Sequence, residues 1–322
     1  MRTIEFMANS HSHKIDFIFP HGDVTGVETI LEYLLEQKNW DLLKLEDILE
    51  TSPVAAMIEK KWEASRLLWY KRAIRFSPYI PIQSDWTSFL STRSTRFRKN
   101  MRNRAHRLEK LGEVQIEEHS RIDNLDAFLA QVQDITRRSW QGRRGSSIFS
   151  TRANANFYVQ LADWANREGY FVLWLLRLNG TPIAYEYHLR SGLIEFGIKA
   201  EYDNRFNQAS PGGVLDQFIV ESLFDRGFKK YDLLGYMDSY KMRWTDYVDN
   251  HLRYYVFRKK GCARIPFWLD FTLREYLRRF RILREIKKSI ARLRGDRSGG
   301  DSRRGDGSRA DSPRGNSPRG SK

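Results

Sequence analysis

The segment "NQASPGGVLDQFIVESLFDRG" is typical of a helix whose start can bind an anion. Ser210 is a favoured N-cap residue, because its hydroxyl can accept a hydrogen bond from a first-turn amide. Pro211 suits the first helical position, and Gly227 suits the left-handed residue that ends a helix. Gly212 and Gly213 leave the first turn without side chains, so a ligand can approach the backbone closely. The unpaired amides of such a turn can bind phosphate, and a plain junction between loop and helix is the alternative.

Positive charge is concentrated in three segments of the 322-residue chain, whose net charge is +15. They are Ser91–Lys110, Arg264–Arg294 and Gly295–Lys322, and the rest of the chain is close to neutral. This distribution indicates a near-neutral globular protein with basic appendages, and disfavours a uniformly basic nucleic-acid coat.

Several motifs with known chemistry do not occur in the sequence. Cys262 is the single cysteine, so we expect neither an internal disulfide nor a cysteine-based metal cluster. There is no P-loop, H-E-x-x-H or EF-hand pattern, so neither nucleotide hydrolysis nor a metal site is predicted. No apolar run reaches the length of a membrane span, and the first residues do not resemble a secretory signal. We therefore expect a cytoplasmic protein.

The order of predicted elements indicates an α/β fold. Residues 113–260 read as strand, helix, helix, three strands, helix, strand and a last strand after an irregular stretch. Asn179–Gly180 predicts a two-residue hairpin turn inside the three-strand meander. A mixed sheet with helices on both faces follows from this order. The N-terminal residues read as a smaller version, with strands at "KIDFIF", "DLLKL", "RLLWYKRAI" and "PYIPI" and helices near Val27–Gln37 and Pro53–Trp62.

This pattern divides the chain into five parts. We predict an N-terminal half at 1–84, a long basic connecting helix at 85–112 and a second half at 113–260. Residues 261–294 place apolar side chains on one helical face and basic ones on the other, which suits an anionic membrane surface or the protein's own domain. Residues 295–322 contain almost only Gly, Ser, Arg, Asp and Pro, and we expect them to be disordered.

The sequence from about residue 90 to 258 resembles the GNAT acyltransferases. In that family the loop before the helix reads Q/R-x-x-G-x-G/A. Gln208, Pro211 and Gly213 stand at its three fixed positions, so proline replaces the first glycine. The run "IKAEYDNRFNQASPGGVLDQFIVESLFDRGFKKYDLLGYMDSYKMRW" is similar to the CelD-like or BioF2-like branch, which is associated with bacterial polysaccharide biosynthesis. The resemblance implies two GNAT-like halves, of which 113–260 is the acyltransferase domain and 1–84 is degenerate.

A second resemblance concerns the basic segment. The stretch "STRFRKNMRNRAHRLEKLGEVQI" is similar to the segment that joins the two halves of Fem-type aminoacyltransferases, which use aminoacyl-tRNA. The chain lacks the coiled-coil arm that many of those enzymes carry, and this favours acyl-coenzyme A as the donor.

The GNAT resemblance implies a binding site for acyl-coenzyme A. Strand backbone would flank the pantetheine arm, and the glycine amides would meet the pyrophosphate. The residues expected to form this site are Ile198, Lys199, Ala200, Gln208, Ser210, Gly212 and Gly213.

N-acylation needs a group that takes a proton from the amine and a group that protonates the leaving thiolate. On this resemblance Glu186 and Asp232 are the candidate bases, and Tyr240 is the candidate proton donor. Alternation along "AYEYHLR" places Glu186 and His188 on the same face of a strand. The alternatives are a solvent-facing Glu186, a structural Asp232 that bonds a neighbouring backbone amide, and a structural His188.

An acidic acceptor would find basic and aromatic partners near the same loop and on the basic helix. The candidates are Arg98, Arg102, Lys241, Arg243 and Trp244. A nucleotide-sugar diphosphate or a lipid-linked phosphate would suit them, and a solvated surface is the alternative.

The leading hypothesis is a cytoplasmic N-acyltransferase that moves an acyl group from acyl-coenzyme A to an amine. The acceptor would be an amino sugar or a cell-surface polysaccharide precursor, and contact with the inner face of the membrane is an option. Two alternatives stay open. One is a Fem-like transferase that depends on aminoacyl-tRNA, and the other is a non-enzymatic scaffold that binds RNA or anionic membrane.

Overall fold

The computed structural model describes residues 2–9, 11–20, 22–65 and 67–258. The predicted amphipathic helix at 261–294, the tail and Cys262 lie outside these residues. The statements made about them above remain predictions.

Helices and strands alternate along the described chain. The helices are α1 Thr25–Glu36, α2 Pro53–Glu63, α3 Trp86–Ser91, α4 Thr95–Glu109, α5 Leu125–Arg138, α6 Trp140–Arg144, α7 Arg152–Arg167 and α8 Pro211–Asp225. The strands are β1 Thr3–Glu5, β2 Leu42–Leu49, β3 Leu68–Pro81, β4 Val114–His119, β5 Phe171–Leu178, β6 Thr181–Ser191, β7 Ile194–Tyr202, β8 Lys230–Asp232 and β9 Val248–Phe257. Two short 3-10 helices cover Asn204–Ala209 and Lys241–Arg243.

All of these strands join one mixed sheet, which confirms the α/β class. The strand order is β1-β2-β9-β3-β8-β7-β6-β5-β4. The pairs β1/β2 and β7/β8 are parallel, and the other neighbours are antiparallel. Strand β9 comes last in the described chain but lies between β2 and β3, so both predicted halves contribute to the same sheet.

Apolar side chains pack on both faces of the sheet. Helices α4 and α8 cover one face, where Met101, Leu215 and Ile219 pack with Trp174. Helices α5 and α7 cover the opposite face, on which Leu173 lies. Successive residues of β5 thus point to different cores, which explains why its sequence "FVLWLLRL" is apolar throughout. A third core joins α1 and α2 to β2 and β9.

Two turns have the conformation that the sequence predicts. Asn179 and Gly180 have φ values of 50° and 76°, as a two-residue hairpin turn requires. Gly227 ends α8 with φ 67°, and the amide of Phe228 donates to the carbonyl of Leu223 at 3.0 Å. This arrangement satisfies carbonyls in the last turn of the helix.

Three element predictions are wrong in detail. The single helix expected from residue 85 to 112 is two helices, because Asp85 caps α3 and Ser94 starts α4 with its own cap. The segment "KIDFIF" forms no strand among the described residues. The strand expected at "KKYDLLGY" ends at Asp232, since Leu234 and Gly235 take positive φ and turn the chain.

Candidate active site

An opening lies beside the middle of β7. This strand pairs with β8 only from Ile194 to Phe196, and then continues to Tyr202 after the pairing has ended. The three strand residues predicted to flank the donor, Ile198, Lys199 and Ala200, lie in the part without a β8 partner. Beyond Phe196 the β8 side of β7 therefore has no strand neighbour among the described residues, although the Ala200 carbonyl accepts from the Gln141 side chain at 3.3 Å.

Helix α8 begins next to this opening, but Ser210 does not cap it as predicted. Ser210 has left-handed backbone angles (φ 54°, ψ 56°), and its hydroxyl caps no amide of α8. The hydroxyl instead donates to the carbonyl of Asn207 at 3.5 Å. Pro211 does occupy the first turn, as predicted. The helix therefore starts without a side-chain acceptor on its amides.

The two glycines allow other side chains to lie close to the helix start. A Cβ on Gly212 would be 3.2 Å from the Tyr202 ring, and one on Gly213 would be 2.9 Å from a guanidinium nitrogen of Arg104. Arg104 belongs to α4 and was not among the predicted site residues. Predicted residue Gln208 is exposed on the 3-10 helix that precedes α8.

Cationic groups gather at the start of α8. Burial lowers the pKa of Arg104 and the charges of Arg243 and Arg107 lower it further, while Asp216 partly opposes this shift. Like charges that depress one another in this way are relieved by an anion. The helix dipole favours a negative group at the same place. The start of α8 thus suits a phosphate or diphosphate.

A chain of buried polar groups lies on the face that α8 covers. His188 is fully buried on β6 and contacts Glu186 Oε2 at 2.8 Å and Glu195 Oε1 at 3.0 Å. Glu195 also accepts from Arg190 at 2.6 Å. The Tyr231 hydroxyl donates to Glu186 Oε2 at 3.2 Å. Glu186 is thus buried and held in place, contrary to the solvent-facing alternative.

His188 carries a positive charge between its two carboxylates at neutral pH. Burial by itself lowers the pKa of His188, but hydrogen bonds and charge from Glu186 and Glu195 outweigh it and raise the pKa to about 9. Burial likewise opposes ionisation of Glu195, yet His188 and Arg190 lower its pKa to about 2. The described His, Cys, Asp and Glu side chains form no group placed to hold a metal ion.

Asp216 of α8 lies within electrostatic range of Glu186. Glu186 Oε1 is buried and has no hydrogen-bond partner among the described residues. Burial, followed by the charge of Glu186, raises the pKa of Asp216 well above its ordinary value. The residue as a whole is half-buried, and the raised pKa of its carboxyl group favours the protonated form.

Tyr240 faces the same carboxyl pair. The residue is 44% exposed, yet desolvation of its hydroxyl and the charges of Asp216 and Glu186 raise its pKa. It is therefore a protonated hydroxyl at neutral pH. The structure thus brings two of the predicted catalytic residues, Glu186 and Tyr240, near each other and adds Asp216.

Asp232, the other predicted base, points to the opposite face of the sheet. It follows Tyr231 directly in β8, and successive strand residues point to opposite faces. Its fully buried carboxylate forms ion pairs with Lys14 and, at 3.3 Å, with Lys230, and accepts from the Leu234 amide at 3.1 Å. These contacts match the structural alternative given for Asp232.

We expect Asp232→Asn to lower the free energy of unfolding by about 2 kcal/mol, because two lysines lose a buried counter-charge. The loss is smaller than for a fully buried pair, since the lysines stay partly exposed and keep Asp249. Urea unfolding measures it, with exposed Asp123→Asn as the matched control. A variant of unchanged stability that has lost turnover would show instead that Asp232 is catalytic.

The predicted acceptor residues do not form one patch. Lys241 is buried and donates to the Leu234 carbonyl at 2.8 Å, and Arg243 is exposed near Arg104. Arg98 is half-buried on α4, and Arg102 is exposed on the same helix. The prediction for Trp244 needs correction: its ring is 5% exposed and packs edge-on against Phe97 in the core. Its size and apolarity account for that position.

Residues 95–242 match the family model described as the acetyltransferase (GNAT) domain. Solved structures show the same fold. A conserved protein of unknown function from Bacteroides thetaiotaomicron has a TM-score of 0.53 at 11% identity, over 74% of this chain and 77% of that one. L-PGS from Bacillus licheniformis has a TM-score of 0.50 at 11% identity, over 77% of each chain. FemX has a TM-score of 0.50 at 12% identity, over 71% of this chain and 76% of its own.

Residues 95–242 thus match a GNAT domain, and the solved structures share the fold of this chain. No curated protein matches the sequence. Within the described residues, no helix is both long enough and apolar enough to cross a membrane.

Proposed function

We propose that this protein is an N-acyltransferase that uses acyl-coenzyme A. Glu186, with Asp216 beside it, accepts the proton that the amine loses. The observation that carries this proposal is the buried Glu186 carboxylate, which His188 holds at 2.8 Å and whose Oε1 has no hydrogen-bond partner among the described residues, with Asp216 nearby. Paired titratable groups whose environments separate their protonation states are typical of acid–base sites. The pair faces Tyr240 and lies on the side of the sheet covered by α8.

The donor would lie between β7 and the start of α8. Its pyrophosphate would meet the amides of Gly212 and Gly213 and the guanidinium groups of Arg104 and Arg243. Its pantetheine arm would follow the unpaired part of β7, where a strand amide can stabilise the oxyanion. Acyl-coenzyme A supplies the activated acyl group.

The chain's own residues would then move one proton from amine to sulfur. Glu186 accepts the proton that the amine loses as the carbon–nitrogen bond forms. Tyr240 gives its proton to the sulfur as the carbon–sulfur bond breaks. The doubly protonated pair of Glu186 and Asp216 then returns a proton to Tyr240, which restores the starting state. His188 keeps Glu186 oriented through the 2.8 Å contact.

The acceptor would be an amine on an amino sugar or another precursor of a cell-surface polysaccharide. The sequence resemblance to CelD-like and BioF2-like proteins supports this choice. Such an acceptor would be modified in the cytoplasm, at the inner face of the membrane when it is lipid-linked.

Transfer from aminoacyl-tRNA is the second candidate. The exposed basic side chains of α4, such as Arg102 and Arg107, favour it, because they suit a nucleic-acid backbone. The structural similarity to FemX concerns the fold. Turnover with charged tRNA and none with any thioester would select this candidate.

Calorimetric titration of the full chain with acetyl- and longer acyl-coenzyme A tests the main proposal. We expect binding, and we expect Arg104→Glu to weaken it about 10- to 100-fold through loss of a charge-assisted contact. Arg152→Glu makes the same charge change on exposed helix α7 and should leave the affinity unchanged. Absence of heat with every donor, or equal losses in the two variants, would contradict the proposal.

A further inference from the structure

A group of basic side chains surrounds His13. We call it the N-terminal basic cluster and define it by His11, His13, Arg75, Lys199 and Lys241. Its members come from the segment before α1, from β3, from β7 and from the loop after β8. None of the functions discussed so far uses the two histidines or Arg75.

Two members of the cluster, Lys199 and His11, lie against the Tyr158 side chain. The Lys199 ammonium lies 5.8 Å from the centre of the Tyr158 ring, and His11 Nδ1 is 3.0 Å from the Tyr158 hydroxyl. Tyr158 packs edge-on against Tyr187 in the core formed with α5 and α7. This packing fixes the face on which Lys199 and His11 lie.

Arg75 holds the N-terminal segment in place. Its guanidinium donates to the backbone carbonyl of His13 and forms an ion pair of 2.8 Å with Asp47. The same guanidinium lies 5.9 Å from the centre of the exposed Tyr236 ring. His13 is thereby fixed at the edge of the loop that contains Tyr236 and Lys241.

His13 has an unused polar atom inside this cluster. Its Nδ1 is buried and has no hydrogen-bond partner among the described residues. Burial, followed by the charges of Arg75, Lys199 and Lys241, lowers the pKa of His13 to about 4. The ring is therefore neutral at pH 7, with a buried nitrogen that a ligand can satisfy. A buried polar atom left without a partner is costly.

The two lysines of the cluster are only weakly neutralised. Lys199 forms no ion pair with a carboxylate of the described residues, and burial lowers its pKa. Its charged neighbour Glu201 is engaged by the hydroxyls of Ser139 and Tyr185. Lys241 is buried, and Asp238, its partner at 3.6 Å, is 55% exposed. Desolvated cations without partners are unfavourable until an anion joins them.

Arg75 of the cluster and two lysines near it already have carboxylate partners. Lys14 and Lys230 share the carboxylates of Asp232 and Asp249. Arg75 is balanced by Asp47. The least compensated positive charge around His13 therefore resides on Lys199. Lys241 is partly neutralised by Asp238 and, from farther away, by Asp216 and Asp232.

We propose that the N-terminal basic cluster binds a phosphoryl group of the acceptor substrate. A phosphoryl group carries up to two negative charges and several acceptor oxygens, which matches two lysines and a histidine better than a single carboxylate does. The assignment of this group to the acceptor rests on the proposed function, since the donor diphosphate is placed at α8. The group belongs either to a soluble diphosphate or to a phospholipid headgroup.

Histidine NMR on the full-length protein tests the proposal. Arg104→Glu serves as the background, because it disables the proposed donor site but leaves the cluster intact. We expect inorganic pyrophosphate to shift the His13 ring resonance, identified by its loss in His13→Gln, and to raise the pKa of His13 above about 4. No shift of this resonance would overturn the proposal.

Lysine variants show whether the N-terminal basic cluster itself binds the pyrophosphate. Lys199→Gln should weaken pyrophosphate binding about 10- to 100-fold, and Lys199→Arg should retain it. Lys229→Gln is the matched control, since Lys229 is exposed just before the start of β8. Equal weakening by Lys199→Gln and Lys229→Gln would contradict the proposal.

A second probe identifies the source of the phosphoryl group. Dihexanoyl phosphatidylglycerol replaces pyrophosphate in the same titration. Tighter, Lys199-dependent binding of the phosphatidylglycerol identifies a lipid acceptor, and tighter, Lys199-dependent binding of pyrophosphate identifies a soluble one. If neither probe binds, the proposal is overturned. If coenzyme A does not bind but His13 still responds, the proposed function fails and the phosphoryl site stands.

Discussion

Glu186→Gln is expected to lower kcat for acyl transfer by about 10²- to 10⁴-fold and to leave donor affinity unchanged. The amide has the shape of the carboxylate but cannot accept the proton of the amine. Asp216→Asn should cause a loss of the same order, because it removes the acid of raised pKa beside Glu186. The kcat of the double variant should be no lower than that of the less active single variant, since the two carboxyl groups act as one unit.

Release of coenzyme A thiol in the presence of an amine acceptor measures these rates. Asp225→Asn is the control, because Asp225 is exposed at the end of the same helix as Asp216. Calorimetry of each variant with coenzyme A separates loss of chemistry from loss of binding. Turnover of Glu186→Gln within a few-fold of the wild type would remove Glu186 from the mechanism.

The second large effect concerns stability and pH. Because the pKa of His188 is about 9 in the folded protein and 6.5 is its ordinary value, the folded state holds this proton more tightly. The resulting stabilisation is complete below pH 6.5 and is lost as the pH rises through about 9. We expect the stability difference between the wild type and His188→Gln to shrink by about 3 kcal/mol over that interval.

Urea unfolding of both proteins at a series of pH values gives this difference. His106→Gln is the matched control, because His106 is exposed on α4. The difference in free energy of unfolding between this variant and the wild type should not shrink between pH 6.5 and pH 9. Glu195 should act in the opposite direction: its contribution is present above pH 4.5 and is lost as the pH falls toward 2. A pH-independent effect of His188→Gln would refute the charged state assigned to His188.

Much of the fold could be predicted because its signals are local. The hairpin at Asn179–Gly180 and the end of α8 at Gly227 depend on backbone angles that few residues tolerate. Strand β5 shows as an apolar run. The position of β9 between β2 and β3 could not be predicted. The pairing of Leu42 with Phe257 leaves no recognisable sequence pattern in either strand. The break between α3 and α4 was missed although Ser94 carries an ordinary cap signal.

The site was predicted in part for the same reason. Glu186 and His188 show as polar residues on an otherwise apolar strand, so alternation placed them together. Asp216 was missed, although a carboxylate within the apolar sequence "PGGVLDQFIV" is a usable signal. Arg104 could not be singled out among the many arginines of α4, because only packing decides which one lies against Gly213.

The position of β9 also affects how the chain folds as it is synthesised. Strands β2 and β3 are not neighbours, and each pairs with β9, whose residues emerge from the ribosome about two hundred positions after β2. The N-terminal third thus leaves the ribosome with its central pairing partner missing. Such distant pairing slows folding and leaves apolar strands exposed in the meantime. Nascent chains that stop short of Phe257 should depend on chaperones, since no earlier strand substitutes for β9.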